Sequence, residues 1–142
     1  MKNCSREEIQ VFLNRNGIIP TAQRVDIAHL LADRCTHLCA DDIYKFVNED
    51  NTRDGRRRAS KATVYNTLGL FAKEGIVREV IADPSRVFYD PNTSPHHHLY
   101  NVTTGELTDI DAANLEISGI PPLPEGTKLD GVDVVVRTRQ IS

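Results

Sequence analysis

Three of the five histidines in the chain fall in one run, Pro95-His96-His97-His98, and a carboxylate, Asp109, follows eleven residues after the last of them. In an extended segment side chains alternate, so His96 and His98 share one face and His97 takes the other. Thr103-Thr104-Gly105 separates two β-prone runs, 99–102 and 106–110, which predicts a hairpin that folds Asp109 back toward the strand carrying His98. Two imidazoles and a carboxylate with no thiolate suit Fe²⁺, Mn²⁺ or Zn²⁺ better than Cu⁺. An H-x-H alone equally describes a solvated His-rich turn, so the elements that hold the run have to decide.

Those elements are legible from the N-terminus onward. Ser5 to Glu8 has the capping-box pattern, followed by Ile9, Phe12 and Leu13 at helical spacing and a stop at Gly17. Thr21 is placed to cap a second helix with Val25, Ala28, Leu31 and Ala32 as its apolar stripe, and His29 on it reads as a surface or partly buried histidine. Ala40-Asp41-Asp42 opens a third, with Ile43, Phe46 and Val47 inward and early acids that suit the helix dipole. After a polar loop over 53–59, Ser60 caps a fourth helix whose Val64, Leu68 and Phe71 are buried and which closes at Glu74-Gly75. Two β-prone runs, 76–82 and 86–89, flank the turn Asp83-Pro84-Ser85. Helices followed by a two-stranded wing predict a winged helix-turn-helix DNA-binding domain over 1–89.

Asp90-Pro91-Asn92 marks a hinge, 90–94, before a second part, 95–142. That part holds the histidine hairpin, a helical stretch near 112–117, the breaker Pro121-Pro122-Leu123-Pro124, and a last strand, 132–139, with Val132, Val134 and Val136 on one face. So few apolar residues make a marginal core alone, which predicts homodimerisation through a small α/β domain. The fold class expected is therefore α+β.

The chain has 142 residues, 39% apolar and 26% charged, with a formal charge of −3, a globular composition. Its charge is uneven: residues 1–82 carry 13 Lys and Arg against 11 Asp and Glu, and residues 83–142 carry 4 against 9. Within the first part Arg53, Arg56, Arg57, Arg58 and Lys61 are concentrated just before the fourth helix, a local footprint for phosphate. In the major groove that helix would offer Lys61, Thr63, Tyr65 and Asn66 to phosphates, thymine methyls and base edges, with Arg56, Arg57 and Arg58 on the backbone of double-stranded DNA. Tyr65 also fits a half-buried packing role. Cys4, Cys35 and Cys39 form no C-x-x-C and read as ordinary reduced thiols, although Cys35 and Cys39 bracket His37. No run is long and apolar enough to span a membrane and MKNCSREEIQ does not resemble a signal peptide, so a cytoplasmic protein is expected.

PTAQR at 20–24, HLCADDIY at 37–44, ATVYNTL at 62–68, EGIV at 74–77, the HHH run and the spaced Asp109 together resemble the ferric-uptake regulator superfamily over nearly the whole chain. The resemblance implies a dimeric, metal-responsive repressor with an N-terminal winged helix, and it adds Arg24 to the DNA-contacting set. It places the regulatory Fe²⁺ or Mn²⁺, with Zn²⁺ able to occupy the site in vitro, on His37, Asp90, His96, His98 and Asp109. Asp rather than Glu at 109 is similar to the peroxide-sensing branch, in which His37 and His96 would be the oxidised positions. A second metal position in the family would fall on His97 and Glu116.

The chain also departs from the family. The first pair of a structural four-cysteine zinc site would fall on Asn101 and Thr104, and no cysteine follows Cys39, so that zinc is not expected. Its absence and the PPLPEGT stretch are similar to the iron-response-regulator branch, but the Cys-Pro haem motif of some such proteins is missing and haem stays open. The alternative from another class is a small non-haem metalloenzyme using the same His/His/carboxylate set.

Overall fold

The computed structural model describes residues 4–34, 36–53 and 58–141, with the side chains of 50–53 excepted. Cys35, Arg56 and Arg57 lie outside the described residues, as does the Arg53 side chain. The chain divides into two compact units, Met1–Thr93 and Ser94–Ser142.

In the first unit, α1 (Arg6–Arg15) begins at the expected capping box: Ser5 Oγ accepts from the Glu8 N–H at 3.1 Å and Glu8 accepts from the Ser5 N–H in return. Its Ile9 and Leu13 are buried. Helix α2 (Ala22–Arg34) starts where the Thr21 hydroxyl accepts from the Arg24 N–H, and buries Val25, Ala28, Leu31 and Ala32. Arg6 on α1 is paired with the buried Asp26 on α2, so the contact between these helices is ionic as well as apolar. Helix α3 (Ala40–Arg53) buries Ile43 and Val47, with Phe46 partly buried. Helix α4 (Lys61–Lys73) is capped by Ser60, which accepts from the Thr63 N–H at 3.1 Å. It ends where Gly75 takes φ 77°, a left-handed position open to glycine at little cost, and the Ile76 N–H bonds back to Phe71. Val64, Leu68 and Phe71 are fully buried, so this helix is anchored on the common core and shows its other face to solvent.

The wing has one more strand than the sequence pattern predicts. Besides β2 (Arg78–Asp83) and β3 (Arg86–Asp90), the two residues of β1 (Leu38–Cys39) pair antiparallel with β3, opposing Tyr89 and Phe88, in the order β1-β3-β2. Two residues carry no periodicity, and their partner lies about 50 positions away along the chain, so no local signal announces them. Asp83 closes the β2-β3 turn by accepting the Ser85 N–H at 2.8 Å.

The second unit is a three-stranded sheet in the order β5-β4-β6. Strand β4 (His96–Asn101) lies between antiparallel β5 (Leu107–Asp111) and parallel β6 (Val135–Thr138). The β4-β5 hairpin turns as expected: the Asn101 side chain accepts the Thr103 and Thr104 N–H groups, and Gly105 takes φ 79°. Two expectations need correction. The helical stretch near 112–117 is a single 3₁₀ turn, Ala112–Asn114, because Leu115 is already extended and Gly119 takes positive φ. The last strand contracts to Val135–Thr138, and Val136 faces solvent at 37% exposure while Val132 and Val134 are half-buried.

The buried apolar side chains of this unit are Tyr100 and Leu107 among the described residues. Leu99, Ile117, Ile120, Leu123, Leu129, Val136 and Ile141 are exposed. Among the described residues no helix is long and apolar enough to cross a membrane.

Candidate metal centre

Each unit gathers its own potential ligands. In the N-terminal unit the short strand β1 does the gathering. Because Leu38 opposes Tyr89, the residue before β1 is carried beside the residue after Tyr89, and His37 Nε2 lies 3.1 Å from Asp90 Oδ2. Asp90 is buried, and its other oxygen accepts the Asn92 N–H at 2.9 Å, so the chain's own turn fixes the carboxylate. A buried carboxylate with one oxygen held by backbone and the other aimed at an imidazole is a site with a strong demand for positive charge.

In the C-terminal unit the β4-β5 register does the same work. His98 opposes Asp109 directly, and His96, two residues away on the same face, completes a cluster. His96 Nε2 and His98 Nε2 lie 3.4 and 3.5 Å from the same oxygen, Asp109 Oδ1. The two rings are 4.5 Å apart, edge to face. His98 is only 2% exposed, whereas the Asp109 side chain is 50% exposed. His96 Nδ1 is 2.6 Å from the Ser94 carbonyl, which can only accept, so Nδ1 donates there and Nε2 is the nitrogen turned toward Asp109. Asp111 opposes His96, but its carboxylate accepts the Ala113 N–H at 3.0 Å and is spent on capping the 3₁₀ turn.

The neighbouring groups fall outside this arrangement. His97 is buried on the opposite face, where its Nδ1 accepts the Val134 N–H at 3.2 Å and so helps to dock β6. Glu116 is exposed, and neither it nor His97 belongs to a cluster of three or more potential ligands among the described residues. Cys39 donates its thiol to Asp42 Oδ2 at 3.0 Å, and burial, reinforced by that hydrogen bond, pushes the thiol's pKa up. It therefore stays a thiol, a poor nucleophile and a poor ligand. His29 hydrogen-bonds the Cys4 carbonyl at 2.9 Å and faces Asp33, both structural contacts. Where the family's cysteine pair would fall, the Asn101 side chain bonds the Thr104 backbone N–H and holds the turn.

Of the described residues expected to meet DNA, Arg58 precedes α4, Lys61, Thr63, Tyr65 and Asn66 lie in its first two turns, and Arg24 lies on α2. Arg58, Lys61 and Asn66 are exposed, and Tyr65 is 50% exposed, so half of it is presented outward and half is buried. Thr63 is half-buried, and both its N–H and its hydroxyl serve the Ser60 cap. The Lys61 ammonium lies 5.6 Å from the Tyr44 ring centroid, and Arg24 is partly tied down by a 2.8 Å bond to the Ile19 carbonyl.

The sequence profile of the Ferric uptake regulator family matches residues 15–127. The chain belongs to that family. Over 109 residues, 77% of this chain and 70% of the relative, it is 34% identical to the Peroxide-responsive repressor PerR of Staphylococcus aureus. Its fold is similar to that of the Ferric uptake regulator from Pseudomonas aeruginosa with manganese, with TM-score 0.68 and 23% identity, covering 94% of this chain and 98% of the other. The Ferric uptake regulator from Francisella tularensis with iron is similar at TM-score 0.67 and 20% identity, covering 87% and 92%. The α4-plus-wing unit is thus the winged-helix DNA-binding part of a Fur-family fold, and the β5-β4-β6 unit is its C-terminal dimerisation part. Fur-family proteins are metal-responsive, dimeric DNA-binding regulators of transcription, and this chain is a regulator of that kind and not an enzyme.

Proposed function

We propose that this regulator binds Fe²⁺ or Mn²⁺ through His37, Asp90, His96, His98 and Asp109, and that loading controls binding of its homodimer to a double-stranded DNA operator. The observation that carries the reading is the pair of buried imidazoles, His96 and His98, whose Nε2 atoms converge on one oxygen of Asp109. Burying two imidazoles beside a carboxylate is costly unless a proton or a cation completes the set. All the donors are nitrogen and oxygen, which fits Fe²⁺, Mn²⁺ or Zn²⁺ and disfavours Cu⁺. His37 and Asp90 form a second half-site of the same chemistry, and Asp90 precedes His96 by six residues, a span of at most about 20 Å fully extended. One ion shared by both half-sites would couple the DNA-binding unit to the dimerising unit, which is how occupancy would set the geometry of the two recognition helices.

The exposed Leu99, Val136, Ile117, Ile120 and Leu123 support a homodimer, because so small a core does not bury its own apolar surface. Helix α4, with Lys61, Thr63, Tyr65 and Asn66, is the part offered to the major groove, with Arg58 just before it and Arg24 on α2 as further DNA contacts. The genes served would be those of iron, manganese or peroxide defence, and a repressor acting in the cytoplasm is the form proposed.

The test is DNA binding against metal loading, with metal content measured on protein purified without a tag. Affinity that changes with Mn²⁺ or Fe²⁺ in the wild type, and does not in His96→Ala or His98→Ala, supports the reading. Sequence-specific binding indifferent to every metal would end the switch half of it.

A further inference from the structure

Asn48 lies on α3 with 2% of its surface exposed, a depth at which an amide is tolerated only when fully paired. Both ends of that amide are spent on one residue eleven positions away. Nδ2 donates to the Ala59 carbonyl at 3.0 Å, and Oδ1 accepts the Ala59 N–H at 2.8 Å. Ala59 is itself buried. The pattern is that of one strand holding another, made here by a side chain. It satisfies a backbone N–H and C=O that, in a connection between two helices, have no ladder to join.

The position of Ala59 gives this clamp its consequence. The next residue, Ser60, caps α4, and the preceding one, Arg58, ends the basic connection. Arg58 lines a cleft of about 620 Å³ together with Thr21, Gln23, Ser60 and Thr63. Pinning Ala59 to α3 therefore fixes two things at once: where the recognition helix begins and where the Arg58 guanidinium starts from. We infer that Asn48 is a positioning residue for DNA binding, which pre-orders Arg58 and the first turn of α4 for contact with a backbone phosphate. The conformational entropy of that segment is then lost on folding and not on binding. The inference rests on α4 being the recognition helix.

The experiment measures binding by fluorescence anisotropy in Mn²⁺, using a duplex enriched from random sequence by the wild-type protein. Asn48→Ala, Arg58→Ala and the double variant are compared at a temperature where each keeps the wild-type far-UV spectrum. Asn48→Ala is expected to bind about tenfold or more weakly, with the slope of log affinity against log salt reduced by about one for each phosphate that is no longer neutralised. The double variant should be no weaker than Asn48→Ala, because an unanchored Arg58 has little left to lose. Additive losses, or an unchanged salt slope in a folded Asn48→Ala, would overturn the inference. If Asn48→Ala does not fold, hydrogen exchange of the wild-type Ala59 amide decides: strong protection supports the clamp, and exchange at the rate of an open loop overturns it. A wild-type protein that enriches no duplex in any metal would instead overturn the DNA-binding reading, and this inference with it.

Discussion

Asp90 carries two roles on two different oxygens, and the structure shows how to separate them. Oδ1 accepts the Asn92 N–H at 2.9 Å, and Oδ2 faces His37 Nε2 at 3.1 Å. Asp90→Asn keeps an acceptor for the turn and removes the charge, whereas Asp90→Ala removes both. Losing the turn bond should cost about 1 kcal/mol, the low end for an orphaned donor, since Asn92 is exposed and water can replace the acceptor. For a domain of this size that is roughly 4–8 °C in Tm without metal, and Asp90→Asn should lose less. Metal separates the variants from the wild type. With Mn²⁺ at about 100 times the wild-type Kd, binding should add about 2.7 kcal/mol, or roughly 11–22 °C. If losing one anionic ligand weakens affinity about 100-fold, the same Mn²⁺ adds only about 0.4 kcal/mol, or roughly 2–3 °C. Thermal melts with and without Mn²⁺, alongside calorimetric titration, give both numbers for each variant. A full metal-dependent shift in Asp90→Asn would show that Asp90 is not a ligand. Equal metal-free stability of the Asn and Ala variants would refute the turn argument.

Other outcomes follow from the same geometry. His97→Ala should loosen β6, whose Val134 N–H it accepts, and leave Mn²⁺ affinity within a few-fold, whereas His98→Ala should abolish tight binding; calorimetric titration of both distinguishes the faces of β4. Tyr65→Ala should cost only about 1 kcal/mol of stability, since half of the residue is exposed, yet weaken operator binding measurably in a gel shift. Leu68→Ala, at a fully buried position of α4, should cost about 2–5 kcal/mol by denaturant melt and weaken DNA binding only through loss of the fold.

Much of the site was legible because strand alternation and hairpin closure are local rules. They put His96 and His98 on one face and His97 on the other, and they fold Asp109 back toward the strand carrying His98; the observed register sets Asp109 directly opposite His98. The helices of the first unit were legible for the same reason: Ser5, Thr21 and Ser60 cap them, and apolar stripes at helical spacing face their core. His37 was different. Nothing in its neighbourhood announces a partner, and only the family resemblance set it beside Asp90. Asn48 gave no signal at all, because a polar residue at the end of an apolar stripe reads as the edge of a solvated face.

In the N-terminal unit the amino-acid order by itself determined which segments are helical and where they start, since caps, glycine stops and periodic burial act within a few residues of one another. It also determined the donor chemistry, because imidazoles and carboxylates without a nearby thiolate admit the same small set of cations in any arrangement. The tertiary structure alone decided which distant groups meet. Pairing of β1 with β3 brings His37 to Asp90, and Asn48 closes on Ala59 across a connection whose sequence is merely basic. Parallel pairing of β6 with β4 leaves Val136 and Leu99 facing solvent. Each of these joins segments that carry no matching local pattern, so its stability comes from burial and hydrogen bonds that exist only once the chain has folded.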